Sequence, residues 1–522
     1  VLFLRIVENC PPMVKSKYNN KLEKEGFFVK KHFVRRAISL ACSIAVVLLL
    51  AGQPVFASDS VRDDSSYFIR LMDMIQDQYY GEATDDMLLE GAVRGMFGLL
   101  DDYTRFMDRQ ERDDFYGTIG GNFGGIGATL QKNGEYIVVT NVYRGSPAEK
   151  AGISQGDIIV EADGISLIDV SVDTAADIIR GDPGTKVKLG VFRSGDIVYI
   201  DIVREIVKVN PVIYENRDGI GYIRLEMFNS NTNEYIDSAL KYFDRTGIDK
   251  IVLDLRDNPG GEMIQAVYLA EKFVTEGLIT KLDYKSEIYQ DINYYSGRTE
   301  QKYRLAVLVN GNSASASEIV AGAVQDRGAG KLVGTKTFGK AKFQASVPIL
   351  TPDAYMKYKT QYGIDTVNSY ELQLYGIYPG KDEIYGYAQM TMGLYYTPSG
   401  KMIDGVGITP DIQVEDPEYV NGIDIRFAEK LSASVILKPG SRGSDIYNAK
   451  VILKLLGYEL ENMDINFDEE FEAALKEYQS GRKIKASGIL DIRTQATLNV
   501  DLNELIMKYD SQFAAAAEYL KN

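Results

Sequence analysis

Residues 305–344 read LAVLVNGNSASASEIVAGAVQDRGAGKLVGTKTFGKAKFQ, and this stretch decides the fold of the central part of the chain. The apolar run 305–309 is typical of a buried strand, and the small residues 311–317 predict an exposed turn. The next residues, through Val324, predict a helix, and 331–334 predict another strand. A strand, a helix and a strand in this order indicate an α/β layer.

The sequence before this stretch continues the alternation. Strands are predicted at 220–225 and 251–256, with a helix at 232–243 between them. The second strand runs into Asp257-Asn258-Pro259-Gly260-Gly261, a set of turn-forming residues. We assign residues 206–438 to this α/β domain.

The turn contains three candidates for a catalytic serine: Ser313, Ser315 and Ser317. Small residues between a strand and a helix can expose a hydroxyl group. The helix N-terminus would add N–H groups and partial positive charge where an oxyanion forms. A serine-rich N-cap is also common in ordinary helices, so both interpretations stay open on this segment alone.

Composition excludes several common mechanisms. The chain has 522 residues with one histidine and two cysteines, and His32, Cys10 and Cys42 all lie within the first 57 residues. The remainder has no histidine and no cysteine. This excludes Ser-His-Asp and Cys-His catalysis, zinc fingers and disulfides there. No metal or organic cofactor is expected.

Residues 1–57 have the pattern of a leader with a signal peptide. Basic residues at 30–36 precede the apolar run 37–52, and small residues end at Ala57. The run is shorter than the ~20 apolar residues of a membrane-spanning helix, which favours cleavage, with retention as an anchor as the alternative. We therefore expect an extracytoplasmic protein, secreted or associated with the cell wall or membrane of a bacterium.

Net charge argues against nucleic acid as a partner. The leader holds nine Lys and Arg and three Asp and Glu, so 49 basic and 71 acidic residues remain, a net charge of about −22.

Residues 118–205 consist of short β-branched runs separated by Gly, Asn and Asp. The loop Gly125-Ile126-Gly127-Ala128, the helix start Ser146-Pro147-Ala148 and the turn Gly156-Asp157-Ile158-Ile159 follow in the order of a PDZ domain, which this segment resembles. The resemblance implies that backbone N–H groups of the loop receive the C-terminal carboxylate of a peptide. Arg180 is a candidate for sensing a bound tail or for pairing across a domain interface, with an ordinary exposed arginine as the alternative.

The segments Ser313-Ala314-Ser315-Ala316-Ser317-Glu318 and Thr337-Phe338-Gly339-Lys340, the latter followed by Gln344, resemble the motifs of the carboxy-terminal processing peptidases. These enzymes are the tail-specific proteases of peptidase family S41. The resemblance implies Ser315 as nucleophile, Lys340 as general base and Gln344 as its orienting partner. It also implies an oxyanion hole from the N–H of Ala316 with that of Gly260 or Gly261.

Chemistry explains the choice of residue types. A serine hydroxyl needs a base, and lysine is one only when its pKa falls below the usual ~10.4. An apolar setting has this effect, and we expect Phe338 and Phe343 to supply it. Gln344 is uncharged and would not raise the pKa again, whereas Glu318 is expected to be an ordinary first-turn helix acid.

The ends of the chain carry helical patterns. Residues 58–117 are expected to pack against the rest or to form a homodimer. Residues 439–505 resemble a three-helix peptidoglycan-binding domain, with a degenerate packing module as the alternative, and 506–522 form a helical tail. The tyrosine-rich segment 351–387 is longer than in the family pattern and is expected to cover the active-site entrance or to form a contact surface.

The fold class predicted is multidomain α/β, with an N-terminal helical region, a PDZ-like β domain, a ClpP/crotonase-like α/β protease core and a small C-terminal helical domain. The predicted function is an exported serine endopeptidase acting on proteins with apolar C-terminal tails, with peptidoglycan as a further ligand. The alternatives are an inactive peptide- or wall-binding scaffold and an enzyme acting on acyl-CoA. The PDZ-like domain and the export signal argue against the acyl-CoA enzyme.

Overall fold

The computed structural model describes residues 64–143, 145–154, 156–193 and 196–522. The predicted signal peptide lies outside the described residues. The chain divides into two units, Val1–Leu89 and Glu90–Asn522. In the first unit, helix α1 (Asp64–Gln78) exposes several apolar side chains, among them Tyr67 and Ile69. Helix α2 (Asp85–Gly98) begins in the first unit and ends in the second.

The PDZ-like domain follows strand β1 (Arg105–Met107) and helix α3 (Arg109–Gly120). Its antiparallel sheet has the order β3-β4-β5-β7-β8, β6 pairs with β5, and β2 pairs with β9. Apolar side chains such as Ile137, Ile159 and Leu189 form a continuous buried core beneath two helices. The elements are β2 (Asn122–Gly125), β3 (Ala128–Asn133), β4 (Tyr136–Val142), α4 (Pro147–Lys150), β5 (Ile158–Ala162), β6 (Ile165–Ser166), α5 (Val172–Ile179), β7 (Lys186–Arg193), β8 (Asp196–Val203) and β9 (Glu205–Lys208).

The core of the second unit is a six-stranded sheet of order β10-β11-β12-β15-β16-β19, parallel from β11 onward. Its central strands are apolar on both sides because helices cover the sheet. Strands β12 and β15 are neighbours, so the turns after them meet at one edge, which is where open α/β sheets place their sites. The elements are β10 (Val212–Arg217), β11 (Ile220–Leu225), α6 (Thr232–Thr246), β12 (Lys250–Asp254), α7 (Met263–Phe273), β15 (Arg304–Val309), α8 (Ala316–Asp326), β16 (Gly330–Gly334) and β19 (Ile412–Gln413).

A second sheet of order β1-β18-β13-β14, with β17 paired to β18, carries the residues after Lys340. The tyrosine-rich segment connects the antiparallel strands β17 and β18 and folds around its own small core of Leu350, Ala354, Tyr358 and Leu372. The elements are β13 (Gly277–Tyr284), β14 (Ile292–Ser296), β17 (Lys342–Leu350), α9 (Pro352–Tyr362), α10 (Ser369–Gln373) and β18 (Ile384–Tyr396).

Four C-terminal helices complete the chain: α11 (Ser444–Leu455), α12 (Glu469–Gly481), α13 (Ile492–Tyr509) and α14 (Ser511–Lys521). Their apolar residues share one buried cluster with the protease sheet, where Phe513 packs edge-on against Tyr222 at 5.8 Å between ring centroids. The predicted fold class is confirmed, but these helices are built into one face of the protease core. No helix among the described residues is long and apolar enough to cross a membrane.

Candidate active site

The turn between β15 and α8 separates the three serines by their environment. Ser313 and Ser317 are fully buried, and their hydroxyls donate to the carbonyls of Leu255 and Asn258 at 2.8 and 3.0 Å. Ser315 is half-buried and has φ 56°, ψ −113°, a strained conformation for a residue with a side chain. Ser315 is therefore the serine of this turn whose side chain is open to solvent.

The turn after β12 lies directly against Ser315. The carbonyl of Asn258 accepts hydrogen bonds from the Ala314 N–H at 3.1 Å and the Ser317 hydroxyl, which joins the two turns. A Cβ added at Gly260 would lie 2.9 Å from the Ser315 Cβ, so the close approach requires glycine.

Hydrogen bonding distinguishes the two glycines proposed for an oxyanion hole. The Gly260 N–H donates to Asn258 Oδ1 at 2.9 Å. Within the described part of the chain, the N–H groups of Gly261 and Ala316 have no acceptor. Of the two glycines, Gly261 is therefore the one with a free donor.

Glu318 connects the serine turn to the lysine turn, a role that the sequence did not suggest. Its side chain is fully buried, one turn into α8. Oε2 accepts from the Ser315 and Lys340 N–H groups, both at 2.9 Å. Oε1 accepts from the Thr337 hydroxyl at 2.6 Å and the Gly339 N–H at 2.7 Å. Glu318 is the first-turn helix acid that the sequence predicts, and its carboxylate also holds the lysine turn in place.

Tyr395 on β18 makes a second connection between the same two turns. Its hydroxyl lies 2.6 Å from the carbonyl oxygen of Lys340 and 3.0 Å from that of Ser315. Burial, followed by the charges of Glu318 and Asp404, raises the pKa of Tyr395 well above its usual range, so the hydroxyl keeps its proton and donates.

Lys340 is half-buried, and its Nζ lies 3.8 Å from the centroid of the Tyr103 ring. Burial lowers the pKa of Lys340, and the Asp101 carboxylate opposes this shift. The expected environment is wrong in part: Phe338 is 57% exposed, and Phe343 packs against Tyr284 at 4.9 Å between centroids. The aromatic ring beside the amine is Tyr103, from the segment after α2.

Gln344 does not hydrogen-bond to Lys340 in this structure. Its Nε2 donates to the Thr391 hydroxyl at 3.2 Å and to the Lys342 carbonyl at 3.4 Å. The reason is strand pairing, since Gln344 and Thr391 are opposite each other in β17 and β18. The predicted contact with the base is therefore absent in this conformation.

The PDZ-like domain contains a groove of about 260 Å³ between its glycine loop and α5. Gly125, Ile126, Gly127 and Ala128 line one side, and Arg180 lies at the end of the helix. The Arg180 guanidinium is 5.0 Å from the Phe123 ring centroid and 3.8 Å from Asp177. The residues predicted from the loop thus share one groove with Arg180.

No group of three His, Cys, Asp or Glu suited to a metal ion occurs among the residues that the structure describes. Among the described residues, the Ser315 hydroxyl and the Lys340 amine make no hydrogen bond to each other, and their turns are joined through Glu318 and Tyr395. The joined turns supply a hydroxyl, an amine of lowered pKa and two free N–H donors. These groups suit acyl transfer.

Family models match most of the described chain. Peptidase family S41 matches residues 219–414, and a PDZ domain matches 138–193. A putative peptidoglycan binding domain matches 442–498, and the N-terminal domain of the activating protease CtpB matches 58–111.

Curated relatives match over nearly the whole length. The carboxy-terminal processing protease CtpA of Bacillus subtilis (strain 168) is 30% identical over 501 residues, 94% of this chain and 98% of that protein. A probable CtpA-like serine protease of Staphylococcus haemolyticus (strain JCSC1435) is 32% identical and covers 84% of this chain and 81% of its own. Among solved structures, a photosystem II D1 C-terminal processing protease is 25% identical over 68% of this chain and 94% of its own, with a TM-score of 0.37.

The fold and these matches define a serine-type peptidase with a PDZ domain. The chain belongs to peptidase family S41, and its relatives are carboxy-terminal processing proteases. The predicted family and enzyme class are confirmed.

Proposed function

We propose that this protein is an exported endopeptidase that binds the C-terminal tail of a protein substrate in its PDZ groove and cleaves peptide bonds with Ser315 and Lys340. The observation that carries the proposal is the buried Glu318 carboxylate, which binds the backbone N–H groups of both residues. A buried carboxylate is costly unless fully hydrogen-bonded. Its four bonds keep the two turns in one fixed arrangement.

In the first half-reaction, neutral Lys340 takes the proton of the Ser315 hydroxyl as its oxygen attacks the peptide carbonyl carbon. The oxyanion formed is stabilised by the N–H groups of Gly261 and Ala316. The Lys340 ammonium then gives its proton to the leaving amine, and the C–N bond breaks to leave an ester on Ser315.

In the second half-reaction, water attacks this ester and gives a proton to Lys340. The bond from the acyl group to Ser315 breaks, the serine oxygen takes the proton, and the carboxylic acid product leaves. Gln344 orients Lys340 in the working conformation, which requires release of its hydrogen bond to Thr391.

The PDZ groove supports recognition of an apolar tail. The glycine loop offers backbone N–H groups to a terminal carboxylate, and the side facing α5 is lined by Ala176 and Ile179. Arg180 at the groove end adds a positive charge that senses whether a tail is bound.

We also propose where the protein is located and how it assembles. The match to a peptidoglycan binding domain and the leader pattern support an extracytoplasmic location with peptidoglycan as a ligand. The exposed apolar side chains of α1 support a homodimer through the N-terminal helices.

The test uses an unstructured polypeptide with an apolar C-terminus, incubated with wild type, Ser315→Ala, Lys340→Ala and Gln344→Ala proteins. We expect cleavage by wild type and more than a thousandfold loss in Ser315→Ala and Lys340→Ala. Gln344→Ala is expected to lose less, because it removes no reacting group.

Lys336→Ala is the matched control, since Lys336 is an exposed lysine in the same turn. It should cleave as fast as wild type. An uncut substrate, or equal cleavage by Ser315→Ala or Lys340→Ala, overturns the mechanism. Equal cleavage of a substrate whose tail is amidated overturns the role of the carboxylate.

A further inference from the structure

Arg256, the second residue after β12, has every N–H group of its buried guanidinium occupied. Nε and Nη2 donate to the two oxygens of Asp254 at 2.9 and 2.6 Å. Nη1 and Nη2 donate to the two oxygens of Asp510, both at 2.9 Å, and Nη1 also donates to Gln512 Oε1 at 3.0 Å. We call these four residues, Asp254, Arg256, Asp510 and Gln512, the Arg256 cluster.

Two members of the Arg256 cluster come from the C-terminal helices. Asp510 joins α13 to α14 and also caps α14, where its Oδ1 accepts from the Phe513 N–H at 3.0 Å. Gln512 donates to the Val414 carbonyl at 2.9 Å and to Asp416 Oδ1 at 2.8 Å. The end of the chain is therefore tied to strand β12 and to the segment after β19.

The Arg256 cluster stands directly before the turn that carries the free Gly261 N–H. The Arg256 N–H donates to Asp254 Oδ1 at 3.0 Å. The next residue, Asp257, has φ 60° and is held by hydrogen bonds from Asn310 and Asn312 and by an ion pair with Arg426 at 3.0 Å. A strained turn keeps its shape only when its surroundings over-determine it.

We propose that Asp510 is a positioning residue for catalysis: it acts through Arg256 to fix the turn of residues 257–261, so that helices α13 and α14 are part of the catalytic unit. This inference rests on the proposed function of Gly261 as an oxyanion donor. The family motifs around Ser315 and Lys340 contain neither Asp510 nor Gln512.

Charge explains the direction of the effect. With Asp510 replaced by asparagine, the buried guanidinium keeps the Asp254 carboxylate, and one of its N–H groups faces an NH2 group instead of an oxygen. A buried cation in that state moves toward the remaining acceptors. Arg256 directly precedes the turn of residues 257–261 in the chain. A movement of Arg256 therefore displaces the Gly261 N–H. A displacement of about 1 Å costs roughly a hundredfold in rate.

The test compares Asp510→Asn with wild type in the full protein. Asparagine keeps the size and the helix-capping ability of aspartate and removes its charge. We expect kcat to fall by tenfold to a hundredfold, as for a sub-ångström to 1 Å displacement, with KM within twofold. The affinity for a peptide aldehyde, which forms an oxyanion adduct, should fall by the same factor as kcat/KM.

Asp501→Asn is the matched control. Asp501 lies within α13 and, like Asp510, is a buried carboxylate, but its partners are the Tyr478 hydroxyl and Arg482, both at 2.7 Å and both from the C-terminal part of the chain. It should lower thermal stability and leave kcat unchanged. Gln512→Ala removes a single partner of Arg256 and serves as a second test if Asp510→Asn does not fold, with kcat reduced about tenfold.

The outcomes separate this inference from the proposed function. Wild-type cleavage that depends on Ser315, together with unchanged kcat in folded Asp510→Asn and Gln512→Ala, overturns the positioning role alone. An equal loss of kcat in Asp501→Asn also overturns it, because the effect is then one of stability. Cleavage that does not depend on Ser315 overturns the proposed function instead.

Discussion

Replacing Glu318 by glutamine tests how the serine and lysine turns are held together. The carboxylate accepts four hydrogen bonds, two on each oxygen. Glutamine has one carbonyl oxygen, so two of the four donors face an NH2 group instead. At ~1.5–3 kcal/mol for each hydrogen bond to a charged group, the free energy of unfolding should fall by roughly 3–6 kcal/mol. That loss is a large fraction of the ~5–15 kcal/mol typical of a domain.

The activity of the same variant should fall as well. With the NH2 group in the place of Oε2, it faces the Ser315 and Lys340 N–H groups, and in the place of Oε1 it faces the Thr337 hydroxyl and the Gly339 N–H. Either orientation loosens the lysine turn against α8, and a shift of about 1 Å costs roughly a hundredfold in kcat. Urea unfolding measures the stability, and peptide cleavage well below the unfolding transition measures kcat.

Asp326→Asn is the control, since Asp326 lies at the other end of α8. It accepts hydrogen bonds from the N–H and the hydroxyl of Ser399 and pairs with Lys401. It should lose stability and keep its kcat. Wild-type kcat in Glu318→Gln, or an equal loss of kcat in Asp326→Asn, would refute the reasoning.

Three further predictions concern the base, the groove and the unused serines. Because the neutral form of Lys340 is active and burial lowers its pKa, kcat should rise with pH with a midpoint below 10.5. Asp101→Asn should move that midpoint lower, because the Asp101 carboxylate raises the pKa of Lys340; a midpoint that stays or rises contradicts this. Ala176→Glu places a negative charge in the PDZ groove and should raise KM for a substrate with an apolar tail. Thr174→Glu, outside the groove lining, should leave KM unchanged. Equal KM values for the two variants would show that the groove does not bind the tail. Ser317→Ala should lower the unfolding free energy by about 1 kcal/mol and keep kcat within a few-fold, measured by urea unfolding and peptide cleavage; loss of activity as large as in Ser315→Ala would put the nucleophile in doubt.

The elements around the site were predictable because their signals are local. Strand β15, the turn of small residues and helix α8 follow one another within 23 residues, Arg304–Asp326. Hydrophobic runs and turn residues report such local order directly. The distinction between Ser315 and its neighbours depended on a motif, since three serines in one turn have the same local pattern.

The surroundings of Lys340 were not predictable in the same way. Phe338 is two residues away in sequence but is directed to solvent, whereas Tyr103 comes from a segment more than 200 residues earlier. The partner of Gln344 was set by strand pairing with Thr391 in β18. Side-chain direction in a turn and pairing across a sheet are tertiary properties, and no single segment contains them.

The position of the C-terminal helices was likewise not predictable from local sequence. Their sequence pattern predicts helices, and the structure has helices there. Their attachment to the protease sheet combines a shared apolar cluster with the hydrogen-bonded pair of Arg256 and Asp510, which are 254 residues apart. Arg256 is the last residue of a predicted strand, and Asp510 lies inside the predicted helical tail. The structure reveals that they are partners.

The central claim is that Ser315 attacks the substrate and carries the acyl group. Intact-mass and peptide-mapping spectrometry of the protein, quenched in acid during turnover of an activated peptide ester, tests it most directly. The account predicts one acyl adduct per chain, located on Ser315, and none in Ser315→Ala or Lys340→Ala. An adduct on another residue, or turnover by Ser315→Ala at the wild-type rate, would contradict it.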